Sequence, residues 1–183
     1  MRVTTSGTIL AIARAVAKRQ SHANNGLIRV VIETPRGSRN KYAYDAQERA
    51  FVLKKVLPAG MAFPYDFGFV PGTRAEDGDP LDVLVLMDEP AFAGCIVECR
   101  VIGVLEGKQK EGRKSVRNDR LIAVEESNRV YADVKRLDEL GDQFVHELEK
   151  FFENYSELYG KDFKVARAAG PDEAYRRIRQ VQG

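Results

Sequence analysis

The chain has 183 residues, of which 44% are hydrophobic and 31% are charged, and its 29 basic and 27 acidic residues leave a formal net charge of +2. This composition is typical of one globular domain and excludes an intrinsically disordered chain. The near-neutral balance argues against a nucleic-acid partner. No apolar run approaches the roughly 20 residues of a membrane-spanning helix, so we expect no membrane partner either.

The first 32 residues contain no acid, and "LAIARAVAKRQ" (10–20) can form a short basic amphipathic helix. Such a segment fits a transit peptide. It also fits a helix that packs against a neighbouring chain or against the body of the protein, which we favour. We treat residues 1–26 as an N-terminal segment and residues 27–183 as a single domain.

Most of the next hundred residues predict strands. Segments rich in β-branched and aromatic residues lie at 27–33, 41–45, 49–57, 81–87, 95–105 and 120–126. Glycine and proline recur in "MAFPYDFGFVPGT" (61–73), and this composition predicts an irregular loop. The charged segment 106–119, rich in glycine and lysine, predicts a hairpin excursion between the last two strands.

The hydrophobic period changes in the last third of the chain. Apolar side chains recur at three- and four-residue steps from Leu140 to Tyr159, which predicts a long amphipathic helix over about 138–159 that ends at Gly160. Pro171, with two acids in the following turn, predicts the start of a short last helix. Strands followed by helices predict an α+β, mainly β fold, in which a small closed sheet carries helices on its outside.

Cysteine and histidine are scarce. Cys95 and Cys99 would lie about 13 Å apart on an extended strand, too far for a disulfide, so we expect reduced thiols in a cytoplasmic protein. With only His22 and His146, histidine-rich metal sites and most catalytic triads lose support. Carboxylates, lysines, arginines and tyrosines remain as candidates for chemistry.

The segment "EDGDPLD" (76–82) concentrates four acids at the start of a predicted strand. A simple Asp-Gly turn does not explain a charge at Asp82, inside an apolar strand, and an EF-hand loop would need glycine at that position. Crowded carboxylates repel one another unless a cation meets them. A magnesium site fits better, because Mg²⁺ binds one or two protein carboxylates and shares its other positions with water and phosphates.

A cluster of carboxylates that binds Mg²⁺ favours phosphoryl transfer to water, since the metal activates water and neutralises the attacking and leaving oxygens. An anionic substrate also needs cations opposite the acids. Several segments offer them: Arg36, Arg39, Lys41, Lys54, Lys55, Arg74 and Arg120. The chain lacks the G-x-x-x-x-G-K-[ST] loop with which many nucleoside triphosphatases hold phosphates.

"EDGDPLDVLVL" (76–86) resembles the signature of the soluble family I inorganic pyrophosphatases. The resemblance covers about 27–165 and includes "VVIETP", "KYAYD", "AFPYDFGFVPGT", "CRVIGVL", "DRLIAV" and "FFENYSEL". It implies a five-stranded OB-like β-barrel with helices packed outside, dependence on Mg²⁺, and hydrolysis of pyrophosphate to two phosphates. It also implies a homo-oligomer, with a hexamer as the form common among bacterial members.

The resemblance further implies individual roles on the metal side of the site. Asp77 and Asp82 would bind the main metal ions, and Glu33 would be a further acid there. Asp79 would orient the attacking water or accept its proton.

On the phosphate side, the resemblance implies that Lys41, Lys55 and Arg120 bind the substrate's phosphate groups. Tyr155, on the long helix, would donate a hydrogen bond to one of them.

Several positions depart from the family pattern. Ala43 stands where the family has an acid, Lys55 where it has an arginine, and Asn118 where it has a metal-binding aspartate. Phe63 and Phe67 replace two tyrosines, and Arg120 and Ser156 each replace a lysine. Asp119 follows Asn118, but a shift of one residue on a strand turns the side chain to the other face. Glu106 or Glu111 could supply the remaining acid. The metal candidates in this region are therefore Asp119, Asn118 and Glu111.

Two hypotheses follow from this pattern. The first is a divergent, Mg²⁺-dependent inorganic pyrophosphatase whose pocket is remodelled. The second is a catalytically weakened paralogue that binds phosphate metabolites or hydrolyses another small phosphoanhydride.

Overall fold

The computed structural model describes residues 26–111 and 114–182. Its elements, in chain order, are β1 (Leu27–Thr34), β2 (Asn40–Asp45), β3 (Ala50–Val56), β4 (Asp66–Val70), β5 (Leu81–Leu86), β6 (Ile96–Glu111), β7 (Lys114–Arg117), β8 (Arg120–Glu125), a 3-10 turn (Leu137–Leu140), α1 (Asp142–Glu157), β9 (Asp162–Ala169) and α2 (Pro171–Val181). The helix predicted near the N-terminus lies outside the described residues.

Five strands form a closed ring. They follow the order β1, β4, β5, β8 and β6, and β6 pairs back with β1. Only the pairing of β5 with β8 is parallel among these. The ring, with two helices packed against it, confirms the predicted mainly β fold with a closed five-stranded sheet.

Two apolar clusters hold the ring and helices together. The first joins side chains from all five ring strands, such as Val30 and Val83, with Ala174 and Ile178 of α2. The second lies between the sheet and α1, where Leu148 and Phe152 are 2% exposed. The two helices therefore fix the sheet from different sides, and α1 brings its aromatic side chains next to the ends of β5 and β8.

The fold differs from the sequence predictions in three details. The segment 61–73 contains strand β4, which pairs with β1 and β5, because Gly68 lets the strands approach closely. A Cβ atom on Gly68 would lie 2.0 Å from the carbonyl oxygen of Val31. The strand β9 between the two helices was not predicted, and α1 begins at Asp142 rather than near 138.

The predicted hairpin excursion is confirmed. Strand β6 is 16 residues long and continues beyond the ring, where it pairs with β7 on one edge and β9 on the other. Strands β2 and β3 form a separate two-stranded sheet beside β1. No described helix is long and apolar enough to cross a membrane.

Candidate active site

The acidic segment forms a tight loop between β4 and β5. Gly78 has a φ of +92°, and the loop closes through a hydrogen bond from the Ala75 amide to the Asp79 carbonyl, 2.8 Å long. Asp77 and Asp79 are exposed on this loop. Desolvation raises the pKa of the Asp77 carboxyl above its ordinary value, and the charges of Asp79 and Asp82 raise it further. The three carboxylates therefore share one electrostatic environment.

Asp82 is the second residue of β5 and the centre of the cluster. Desolvation raises the pKa of its carboxyl group above the ordinary value. The positive charges of Arg120 and Lys41 oppose this shift, and the negative charges of Glu33 and Asp79 add to it. The structure therefore brings together two predicted phosphate-binding cations and three of the predicted acids around one carboxylate.

Glu33 and Lys41 form a largely buried ion pair on β1 and β2. The Lys41 Nζ atom lies 3.0 Å from Glu33 Oε2, and the two side chains are 13% and 10% exposed. The backbone amide of Tyr44 donates a hydrogen bond to Glu33 Oε1 at 2.8 Å. The ammonium group also lies 4.2 Å from the centre of the Phe67 ring, where a cation–π interaction is favourable.

Lys55 and Tyr155 meet at the surface of α1. The Lys55 Nζ atom lies 3.5 Å from the centre of the Tyr159 ring and 5.8 Å from that of Tyr155. Desolvation raises the pKa of Tyr155 to about 12, with smaller effects from the charges of Arg120 and Asp82. Tyr155 is therefore a protonated hydroxyl, able to donate a hydrogen bond, within electrostatic reach of the cluster.

Arg120 contacts the acid cluster directly. The parallel pairing of β5 with β8 places it beside Asp82, and its Nη1 atom lies 2.8 Å from Asp82 Oδ2. The same nitrogen donates hydrogen bonds to the side-chain oxygen of Asn118 and to the backbone carbonyl of Asp119, the latter at 3.1 Å. A charge-assisted contact of this kind is stronger than a neutral hydrogen bond.

A buried pair of amides lies behind Arg120. Asn118 and Gln109 are 7% and 6% exposed, and the Asn118 Nδ2 atom donates to Gln109 Oε1 at 3.1 Å. Our sequence reasoning missed Gln109. The signal was present, because the resemblance expected an acid in this hairpin and Gln109 is a polar residue there.

Asp119 and Glu106 lie in a different environment from the acid loop. Asp119 Oδ2 is 2.6 Å from Arg117 Nε and 3.5 Å from Arg177 Nε, while its Oδ1 atom accepts the Gly107 amide at 3.1 Å. Glu106 pairs with the same two arginines at 3.4 and 3.6 Å. These two acids are therefore held by arginines in the described part of the structure. The side chain of Glu111 lies outside the described residues.

The donor chemistry of the loop fits a hard divalent cation. Its carboxylate oxygens are partly desolvated and mutually repulsive, a state that a cation relieves. In the described ranges no three acidic, histidine or cysteine side chains lie close enough to hold a metal ion. The residue that contacts Asp82 most closely is Arg120 rather than a further carboxylate of the described chain.

Comparisons with known proteins agree on one family. The family model described as "Inorganic pyrophosphatase" matches residues 30–183. The chain is 41% identical to the inorganic pyrophosphatase of Synechocystis over 136 residues, 74% of this chain and 78% of that protein. It is 36% identical to that of Methanosarcina acetivorans, covering 84% of this chain and 89% of that protein.

A solved structure shares the fold. The crystal structure of the inorganic pyrophosphatase from Thermus thermophilus superposes with a TM-score of 0.80 at 34% identity. The superposition covers 87% of this chain and 91% of that one. The residues matched by the family model, 30–183, include every described segment of the candidate site.

Proposed function

Because the chain belongs to the inorganic pyrophosphatase family, we propose that it is an inorganic diphosphatase that uses a divalent metal, Mg²⁺, to hydrolyse pyrophosphate to two phosphates. The observation that carries the proposal is the meeting of carboxylates and cations around Asp82. The relatives are inorganic pyrophosphatases, which favours hydrolysis over the alternative of a weakened phosphate-binding paralogue.

The acid loop forms the metal side of the site. Asp77 and Asp82 would hold the divalent ion, with Glu33 nearby as a further negative charge. When bound, the ion supplies acidity to water and neutralises charge on the departing phosphate. Of the two candidates before β8, Asn118 contacts the Arg120 side of the site and could supply a neutral oxygen, whereas Asp119 is held by arginines. Glu111 stays a candidate.

Asp79 would orient the attacking water or accept its proton. Its carboxylate is exposed on the loop, and its backbone amide donates to Asp77 Oδ1 at 3.2 Å, which keeps the two acids side by side. A carboxylate placed beside an acidified water can accept its proton or orient it toward the phosphorus atom.

The phosphate side is formed by cations from three strands and a hydroxyl from α1. Lys41, Lys55 and Arg120 would bind and orient the anionic oxygens, and Tyr155 would donate a hydrogen bond to one of them. Cations opposite the carboxylates also offset the repulsion between the acid loop and an anionic substrate. Charge stabilisation at such a site is commonly the largest contribution to catalysis.

Phosphate release tests the proposal. Wild-type protein should release phosphate from pyrophosphate in the presence of Mg²⁺, and the release should stop when EDTA removes the metal. Triphosphate and ATP should be poorer substrates. Asp79→Asn should lower the rate by roughly 10²–10³-fold, because it removes a proton acceptor at nearly constant shape. Asp133→Asn, the same change at an exposed position, serves as the control and should leave the rate unchanged.

Wild-type protein that releases no phosphate with Mg²⁺, Mn²⁺ or Co²⁺ would contradict the proposal. An Asp79→Asn variant as active as wild type would remove Asp79 from the mechanism while leaving the reaction itself intact.

We also propose a homo-oligomer, with a hexamer as its specific form, in the cytoplasm. Cys95 and Cys99 are both free thiols, which agrees with a reducing compartment. Light scattering after size exclusion should give about 123 kDa, six times the chain mass of 20.5 kDa. A mass near that of one chain would contradict the oligomer.

A further inference from the structure

Asp82 has a partner in this structure that conflicts with its proposed role. The Arg120 guanidinium lies 2.8 Å from Asp82 Oδ2, on a carboxylate that the proposed function requires for a divalent ion. A carboxylate oxygen bound to a guanidinium is a poorer ligand, because the cation withdraws charge from it and blocks one approach.

The guanidinium is only partly satisfied in this position. Its Nη1 atom makes the contacts to Asp82, Asn118 and the Asp119 carbonyl. Its Nε atom is buried and has no hydrogen-bond partner within the described residues. A buried N–H donor without an acceptor is unfavourable. An additional acceptor that enters the pocket would therefore form a stabilising hydrogen bond with this arginine.

Among the described residues, no second carboxylate lies within ion-pair distance of Arg120. Asp82 is the one acid within ion-pair distance of it in the described part of the chain. The amides of Asn118 and Gln109 behind it are neutral, and Asp119 turns to Arg117. Arg120 therefore has two possible partners in the pocket, namely Asp82 and an anion supplied by the substrate.

Aromatic packing permits a local movement of this side chain. The Arg120 guanidinium carbon lies 5.4 Å from the ring centres of both Phe152 and Phe163. Ring faces stabilise a guanidinium by stacking and cation–π contact over a range of orientations. The cation can turn between these rings without losing its apolar contacts.

We propose that Arg120 is an exchangeable partner of Asp82, and this inference rests on the proposed function. In the metal-free protein Arg120 holds Asp82. When Asp82 takes a divalent ion instead, the guanidinium is released and binds an anionic phosphate oxygen. Divalent-ion binding and phosphate binding are then coupled through one side chain, and by linkage each strengthens the other.

The test measures binding rather than turnover, by calorimetric titration with Mn²⁺ in the absence of substrate. Two variants remove the competing charge: Arg120→Met, whose side chain can pack between the two rings, and Arg120→Gln. Both should bind Mn²⁺ at least about 10-fold more tightly than wild type, because Asp82 is freed of its partner. Arg120→Lys keeps the charge and should remain close to wild type.

Arg117→Gln is the matched control. It removes the same charge from the neighbouring strand, but Arg117 pairs with Asp119 and Glu106 rather than with Asp82. Its Mn²⁺ affinity should stay within about 2-fold of wild type, which separates a direct exchange from a general change in potential.

A second titration measures the coupling. Inorganic phosphate should strengthen Mn²⁺ binding in wild type, and by a clearly smaller factor in the two neutral variants. The exchange can also be followed in wild-type protein by NMR, where Mg²⁺ alone should shift the signal of the buried Arg120 Nε–H, assigned with the Arg120→Lys variant.

The outcomes separate the two proposals. Unchanged or weaker Mn²⁺ binding in the neutral variants, or an Arg120 signal that Mg²⁺ does not move, would overturn the exchange while phosphate release by wild type stands. Wild-type protein that binds no divalent ion at all would contradict the proposed function itself.

Discussion

The ion pair between Glu33 and Lys41 offers a quantitative test of the site. Replacing Lys41 with methionine keeps the length of the side chain and removes its charge. The carboxylate of Glu33 is then left 10% exposed without its cation. Removing one partner of a buried pair typically costs about 3–5 kcal/mol, and the residual exposure here favours about 3 kcal/mol. For a domain of this size that corresponds to a fall of roughly 6–12 °C in the unfolding midpoint.

The chain contains a matched control on the same hairpin. Lys54 and Asp45 are also 3.0 Å apart, but their side chains are 46% and 25% exposed. Solvent screening leaves such a pair little net stabilisation, so Lys54→Met should lower the midpoint far less than Lys41→Met. The double variant Glu33→Gln/Lys41→Met should recover much of the stability, since glutamine can still accept the Tyr44 amide.

Thermal unfolding followed by circular dichroism in EDTA measures the stability of the free protein, and phosphate release measures function. Lys41→Met and the double variant should both lose most activity, because neither carries the cation that would bind phosphate. Equal losses of stability in Lys41→Met and Lys54→Met would refute the reasoning, as would full activity in the stable double variant.

Three further predictions concern positions away from the acid loop. Gly107→Ala should destabilise the protein by several kcal/mol, because its Cβ would lie 2.4 Å from the Asn118 carbonyl oxygen; a midpoint within 2 °C of wild type would contradict this. Burial raises the pKa of Asp66, so the folded state binds the proton of this carboxyl group more tightly than the unfolded state does. The group therefore lowers the stability of the fold as the pH rises above the ordinary pKa of an aspartate. Asp66→Asn should therefore raise the midpoint at pH 8, and the gain should shrink on acidification; a gain that grows at low pH would show the opposite sign. Asp119→Asn should lower stability by about 1–3 kcal/mol, because the residue loses its charge contacts with arginines. Its Mn²⁺ affinity should stay within about 2-fold of wild type, and a 10-fold loss of affinity in a titration would show that Asp119 binds the metal.

The loop and the strand that follows it could be predicted from the sequence because the signals are local. Three aspartates, a glycine and a proline within seven residues constrain their own geometry, and a strand follows directly. The same holds for α1, whose apolar stripe repeats over several turns. Element boundaries were less accurate, since Gly141 has a φ of +81° and separates the 3-10 turn from the helix.

The parts that were not predicted depend on distant contacts. Strand β9 is mostly exposed and is held by its pairing with β6, so it has no strong apolar alternation of its own. Strand β4 lies between Pro64 and Pro71 and contains Gly68, a composition typical of a loop, and only its fit against β1 explains Gly68. The orientation of Asn118 and Asp119 and the partnership with Gln109 required the register of the hairpin, which a single sequence does not reveal.

The inner and outer parts of the long strand β6 contribute to different properties of the protein. Its residues 96–105 close the ring, and the part beyond Leu105 carries Gln109 toward Asn118. A substitution at Gln109 can change the polar contact behind Arg120 without changing a member of either apolar cluster. The polar contact behind Arg120 and the packing of the two apolar clusters therefore depend on different residues of this one strand.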